Sequence, residues 1–179
     1  MDQKFCSDYY RMTGEAWTGS VKNHLKVMLM HNLRFMKLFR KYERKNNLMV
    51  RLFLYRMSRK FGLEISTGAQ IGSGLYLGHP YNITVAEGVK IGNNVNLHKG
   101  CTIGRENRGK RAGVPSVGNH VFIGINAVVV GNITIGDDVM IAPNTFVNFD
   151  VPPHSIVVGN PAAIHMRDCA TEGYVNYCV

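Results

Sequence analysis

The stretch Ile71–Gly100, IGSGLYLGHPYNITVAEGVKIGNNVNLHKG, decides the fold. Ile71, Leu77, Val85, Ile91 and Leu97 keep a step of six residues, stretched by two after Leu77, and glycine follows directly at Gly72, Gly78 and Gly92. The step runs outward in both directions, back to Ile65 and on through Ile103, Val117, Ile123, Val129, Ile135, Ile141 and Val147, with a second stretch of eight residues after Ile103. Four positions beyond the marking aliphatic a second small or branched side chain recurs, as at Ala69, Leu75, Val89, Val95, Cys101, Val121, Ala127, Ile133 and Val139. Two of every six side chains therefore point inward. A period of six fits neither the 3.6 residues of a helix nor a simple alternation. It suits a solenoid with three short strands per coil of about eighteen residues, in which the glycine-bearing segments turn the corners where a Cβ would be unwelcome.

Composition permits such a core. The chain has 179 residues and is 45% hydrophobic, enough for one sizeable core. No apolar run reaches membrane-spanning length, and MDQKFCSDYY lacks the basic-then-apolar order of a secretory signal, so a cytoplasmic enzyme is expected. Cys6, Cys101, Cys169 and Cys178 have neither metal-ligand spacing nor a disulfide framework; no metal is expected. The net charge of +9 is concentrated between Lys22 and Lys60, where twelve Lys or Arg face the single acid Glu43.

The hexads, the GHP insertion, the looped-out GRENRGKRAGVPS and the closing VPPHSIVVGNPAAI resemble the hexapeptide-repeat acyltransferases, most of all the serine acetyltransferase branch and its relatives in polysaccharide biosynthesis, over residues 65–164. The resemblance implies a left-handed parallel β-helix; the hand comes from it alone. It also implies a homotrimer with acetyl-CoA in a groove between neighbouring helices, and a histidine general base. A mainly β protein is expected, with a helical head at 1–62, the β-helix at 63–164 and a tail at 165–179.

The chemistry agrees with the residues. An alcohol attacking a thioester must shed a proton, and imidazole, with an ordinary pKa of about 6.5, suits that task near neutrality. His79 stands in the two-residue insertion, where the chain must bulge toward the outer face, and matches the family's catalytic histidine. Glu87 matches a family acid and is the expected support for its second ring nitrogen. Gly124, Ile125, Ala142 and Pro143 fall on the coils that line the family's pantetheine groove. His98, about one coil from His79, joins Tyr81 and Asn82 as an expected acceptor contact.

Two departures bear on the acceptor. The serine acetyltransferases carry an acid immediately before the histidine, where this chain has Gly78, and an Arg-His-Pro triplet where it reads Gly113-Val114-Pro115. A desolvated amino acid needs opposite charges for its ammonium and carboxylate. The expected function is therefore an acetyl-CoA-dependent O-acetyltransferase acting on a saccharide hydroxyl of surface polysaccharide synthesis. The alternatives are serine O-acetyltransferase of cysteine biosynthesis and, from another class, a noncatalytic β-helix scaffold or ligand-binding protein.

Between Trp17 and Phe61 the apolar spacing predicts two helices joined near Lys45-Asn46-Asn47, packed on the first coil as a cap. Their basic, Met- and Phe-rich surface also suits peripheral contact with the inner face of an anionic membrane. Charge without a reading motif argues against nucleic acid.

Overall fold

The computed structural model describes residues 2–179 as a helical head on a left-handed parallel β-helix of about five turns. The head holds α1 (Gln3–Thr13), α2 (Val21–Leu29), α3 (His31–Lys45) and α4 (Leu48–Phe61). Fourteen parallel strands follow, β1 (Leu63–Ile65) to β14 (Ser155–Gly159), and β15 (Ala162–Met166) folds back antiparallel on β14. They form three faces, ordered β1-β4-β7-β10-β13, β11-β8-β5-β2 and β15-β14-β12-β9-β6-β3.

The register carries the sequence spacing into space. Thr84 pairs with Thr102, a regular eighteen residues on. Ile71 pairs with Ile91 across the two-residue stretch, and Ile91 with Val117 across the eight-residue one. Both insertions are thus expelled at corners, and the ladders close over them unbroken. All thirteen marking aliphatics are buried, as is the second series from Ala69 to Val151, Thr145 included.

The glycines stand where a Cβ is unwelcome, as expected, and the structure gives the reason. Those following the marking aliphatic do not supply the left-handed turn; they let successive coils touch. A Cβ on Gly92 would lie 2.6 Å from the carbonyl oxygen of Gly118, and one on Gly124 would lie 2.7 Å from the nitrogen of Pro143. The left-handed backbone falls three residues after the marking aliphatic, at Asn94, His120, Asn126, Asp138 and Asn144, polar residues that tolerate αL best among those with a Cβ.

The head also corrects the sequence reading. The two helices expected between Trp17 and Phe61 are three. Met30, in extended conformation, separates α2 from α3, and α1 lies ahead of the predicted pair. Val21, Met28, Leu29, Met49 and Phe53 are exposed; α4 and α1 pack on β1 and β3, and Leu33, Phe35, Met36 and Phe39 are buried on α3, which packs against the other three helices. A buried ion pair fastens it: Arg40 donates to both carboxylate oxygens of Asp8 (2.7 and 3.1 Å) and to the carbonyls of Ile71 and Gly72 on the first coil. No described helix is long and apolar enough to cross a membrane.

Candidate active site

His79 follows β3 at the corner leading to β4, in left-handed conformation (φ 47°). A non-glycine residue keeps that backbone only where its surroundings over-determine it. They do so here. The amide of Tyr81 donates to the carbonyl of His79 (2.7 Å), that of Lys99 to Gly78, and that of Asn82 to Phe61 at the end of α4. His31 of α3 donates from Nε2 to the carbonyl of Pro80 (3.1 Å) and stacks on Phe61 with ring centroids 4.3 Å apart. The imidazole of His79 itself is exposed.

It faces a cavity of about 530 Å³ that also takes in His98, Ile125 and Pro143. Four of the residues expected from sequence to serve the base, the acceptor and the donor groove thus meet in one space. Gly124 and Ala142 lie beside Ile125 and Pro143 in stacked coils, with Gly124 packed too closely on Ala142 and Pro143 to carry a side chain.

His98 stacks one rung above Gly78, its register partner. A Cβ on Gly78 would lie 2.6 Å from the His98 ring. The missing acid is thus explained by packing: the imidazole occupies the space beside this strand position. The ring sits between Tyr76 and Phe122 (centroids 5.9 and 4.6 Å), and its Nε2 is buried without a hydrogen-bond partner among the described residues. Burial, and secondarily the neighbouring His79, hold its pKa below the usual histidine range, which keeps the ring neutral near pH 7.

Other expected residues lie elsewhere. Glu87 is exposed at the corner after β4, packed over Gly68, and does not line the cavity of His79. Tyr81 turns toward His31 and Phe61 of the head, and Asn82 packs against Gly62, so both brace the corner from behind. Gly113 has φ 141°, and a Cβ there would meet Asn132 at 2.8 Å, so this site has no room for the family's arginine. Burial pushes the Cys101 thiol up to about 12, which leaves it no nucleophilic role.

Two contributors were missed from sequence. The segment 167–179 folds back over the site: Asp138 accepts from the amides of Ala170 and Thr171, Asn96 donates to the carbonyl of Tyr174, and Asn94 both donates to and accepts from the backbone of Val179. Tyr174 and Tyr177 thereby wall the cavity. From the other side comes Arg11 of α1. Nothing in SDYYRMTG marks the place of Arg11 in the cavity. A larger cavity of about 880 Å³, between the head and the β2-β5-β8 face, contains no histidine, and the Arg40 that lines it is already paired with Asp8.

Residues 115–148 match the family described as bacterial transferase hexapeptide (six repeats). A serine acetyltransferase of Staphylococcus xylosus is 40% identical over 130 residues, 71% of this chain and 59% of the relative. One from Helicobacter pylori is 38% identical over 107 residues, 60% of this chain and 63% of the relative. The chain therefore spans about three fifths of the length of these curated relatives. Among solved structures, the serine acetyltransferase of Neisseria gonorrhoeae in complex with serine superposes with a TM-score of 0.74 at 29% identity, covering 91% of this chain and 68% of that one. The soybean enzyme complexed with serine gives 0.72 at 26%, covering 90% and 67%. These findings overturn the expectation of a saccharide acceptor and favour the serine alternative. The expectation rested on the glycines at 78 and 113, read as a loss of charge recognition; spacing alone could not show that another cation, Arg11, lines the cavity.

Proposed function

We propose that this chain, which belongs to the hexapeptide-repeat acyltransferases on their serine acetyltransferase side, is a serine O-acetyltransferase that uses acetyl-CoA as donor. The observation that carries the reading is the meeting of His79 with Ile125 and Pro143 in one cavity, in a chain 40% identical to a serine acetyltransferase. His79 takes the hydroxyl proton of serine as the oxygen attacks the thioester carbonyl, and returns it to the departing CoA thiolate, giving O-acetylserine and free CoA. Ile125 and Pro143 offer an apolar wall beside the base, suited to the pantetheine arm, and His98 lies within reach of the acceptor.

Tyr174 and Tyr177 restrict water at the reacting centre, where a stray hydroxide would waste the thioester. Head, β-helix and tail, at 1–62, 63–164 and 165–179, thus act on one site. A homotrimer, as the resemblance implies, would bring the exposed face of His79 against a neighbouring helix. The reading places the enzyme in the cytoplasm and makes no use of a bilayer contact by the head.

Thiol release from acetyl-CoA tests the proposal. With L-serine, kcat/KM is expected to reach about 10⁴ M⁻¹ s⁻¹, the lower end for true substrates. Turnover of serine slower than that of simple alcohols and glycosides would sink it.

A further inference from the structure

Arg11 is a buried cation without an anion. It lies in the last turn of α1 with 2% of its surface exposed. Its Nε donates to the carbonyl of Gly74 (3.1 Å) and its Nη2 to Oδ1 of Asn96, both neutral acceptors. Among the described residues no carboxylate oxygen lies within ion-pair distance; Asp8 and Glu43 are held by Arg40, and Glu15 by Lys22 and Lys26. Arg40 makes the contrast plain, since it is equally buried but neutralised by Asp8. A guanidinium largely removed from water and hydrogen-bonded only to neutral acceptors, with Asp8 acting on it from beyond ion-pair distance, is a cost to the fold.

Its position says which ligand. Arg11 lines the cavity of His79, and its Nη1 makes no hydrogen bond within the described protein. The guanidinium lies 6.0 Å from the centre of the Tyr76 ring, the ring that also flanks His98. Burial holds its pKa below the usual arginine value, a direction that an incoming anion reverses. None of the looped segment's cations, Arg105, Arg108, Lys110 and Arg111, lines this cavity, and Gly113 itself has no room for a side chain.

We propose that Arg11 binds the α-carboxylate of the acceptor amino acid, so that in this chain the helical head, and not the loop after β7, supplies the cation of the acceptor site. The inference rests on the serine reading above. It also gives α1 a part in specificity, with Nη1 donating a charge-assisted hydrogen bond to a carboxylate oxygen while Nε and Nη2 fix the fork.

L-serinamide keeps the hydroxyl and the ammonium of serine but has no carboxylate, and the ratio of kcat/KM for L-serine over L-serinamide reads the interaction directly. For the full chain the ratio is expected to be roughly 10² or more, the range of a buried charged contact. Arg11→Gln should lower it at least tenfold, by loss of serine turnover with serinamide little changed, and Arg11→Lys should fall between. Equal losses on both substrates in Arg11→Gln would mark a structural role and overturn the proposal. Should Arg11→Gln not fold, the Arg11→Lys ratio decides, because lysine keeps the charge but not the fork, and an unchanged ratio overturns the proposal. A native enzyme that turns over both substrates equally well would also overturn it while leaving the acetyltransferase reading intact. Absence of any serine turnover would instead bring down the reading on which it rests.

Discussion

At His79 the repeat gains two residues and after Ile103 it gains eight, and only the shorter insertion is locked to the rest of the molecule. The corner at 78–82 receives or gives backbone hydrogen bonds to Phe61, Lys99 and Gly100, and His31 holds the Pro80 carbonyl from the head. The segment 105–112 is exposed throughout. It closes on itself by a reciprocal pair of bonds between Glu106 and Gly113, and its one tie to the next coil is the Asn132 amide donating to the carbonyl of Arg111. A short insertion thus aims a side chain, and a long one makes a detachable module. The comparison breaks if the two respond alike to change.

The largest effect is expected at the locked corner. His79→Ala should leave folding intact, because the ring is exposed and makes no hydrogen bond among the described residues. It should lower turnover by about 10²- to 10⁴-fold, the usual worth of a positioned general base. Loss of less than about tenfold at saturating acceptor would remove the base from this corner and leave its rigidity without a chemical purpose.

A second substitution sharpens the comparison within the same corner. Gly78→Asp restores the residue type that the serine acetyltransferases carry before the histidine, but its Cβ would lie 2.6 Å from the His98 ring. Overpacking of this kind costs about 1–3 kcal/mol. The expected outcome in urea denaturation is a loss of that size, smaller when His98→Ala is added than the two single losses would sum to, since the residues share one space. Additive losses would show that His98 does not occupy the place of the acid.

The two regions also explain what the sequence could disclose. The solenoid was legible because every coil repeats the same demand, so that Ile71, Ile91 and Val117 stack in one ladder and each betrays the next. His79 was legible because it interrupts that pattern. The head has no such redundancy. The buried face of α1 is Phe5, Asp8, Tyr9 and Arg11, half of it charged, and an apolar-periodicity reading passes over it. The break at Met30 carries neither glycine nor proline. The role proposed for Arg11 rests on its having no carboxylate within ion-pair distance and on the cavity it lines, both properties of three-dimensional packing. The same holds for Glu87: it has the right residue type at a matching position, but the corner after β4 carries it away from the cavity.

The smallest effect is expected at the longer insertion. Replacing Asn107–Ala112 with Asn-Gly would join Glu106 and Gly113 by a two-residue turn of the kind that closes antiparallel pairs unaided. Two backbone hydrogen bonds are lost, Asn132 to Arg111 and Ala112 to Gly109. The second is internal to the removed loop and exposed, so only the first counts in full, at about 0.5–1.5 kcal/mol. Shortening the loop from six residues to two returns about 1 kcal/mol in closure entropy. The two terms nearly offset, and stability should change by less than about 1 kcal/mol, measured as a shift of the urea midpoint at constant slope. The ladder from Ile91 to Val117 already passes beneath the loop unbroken, which is why its removal leaves the coil stack intact. A loss above about 3 kcal/mol would mean that the replaced segment is as much a part of the solenoid as the corner at His79.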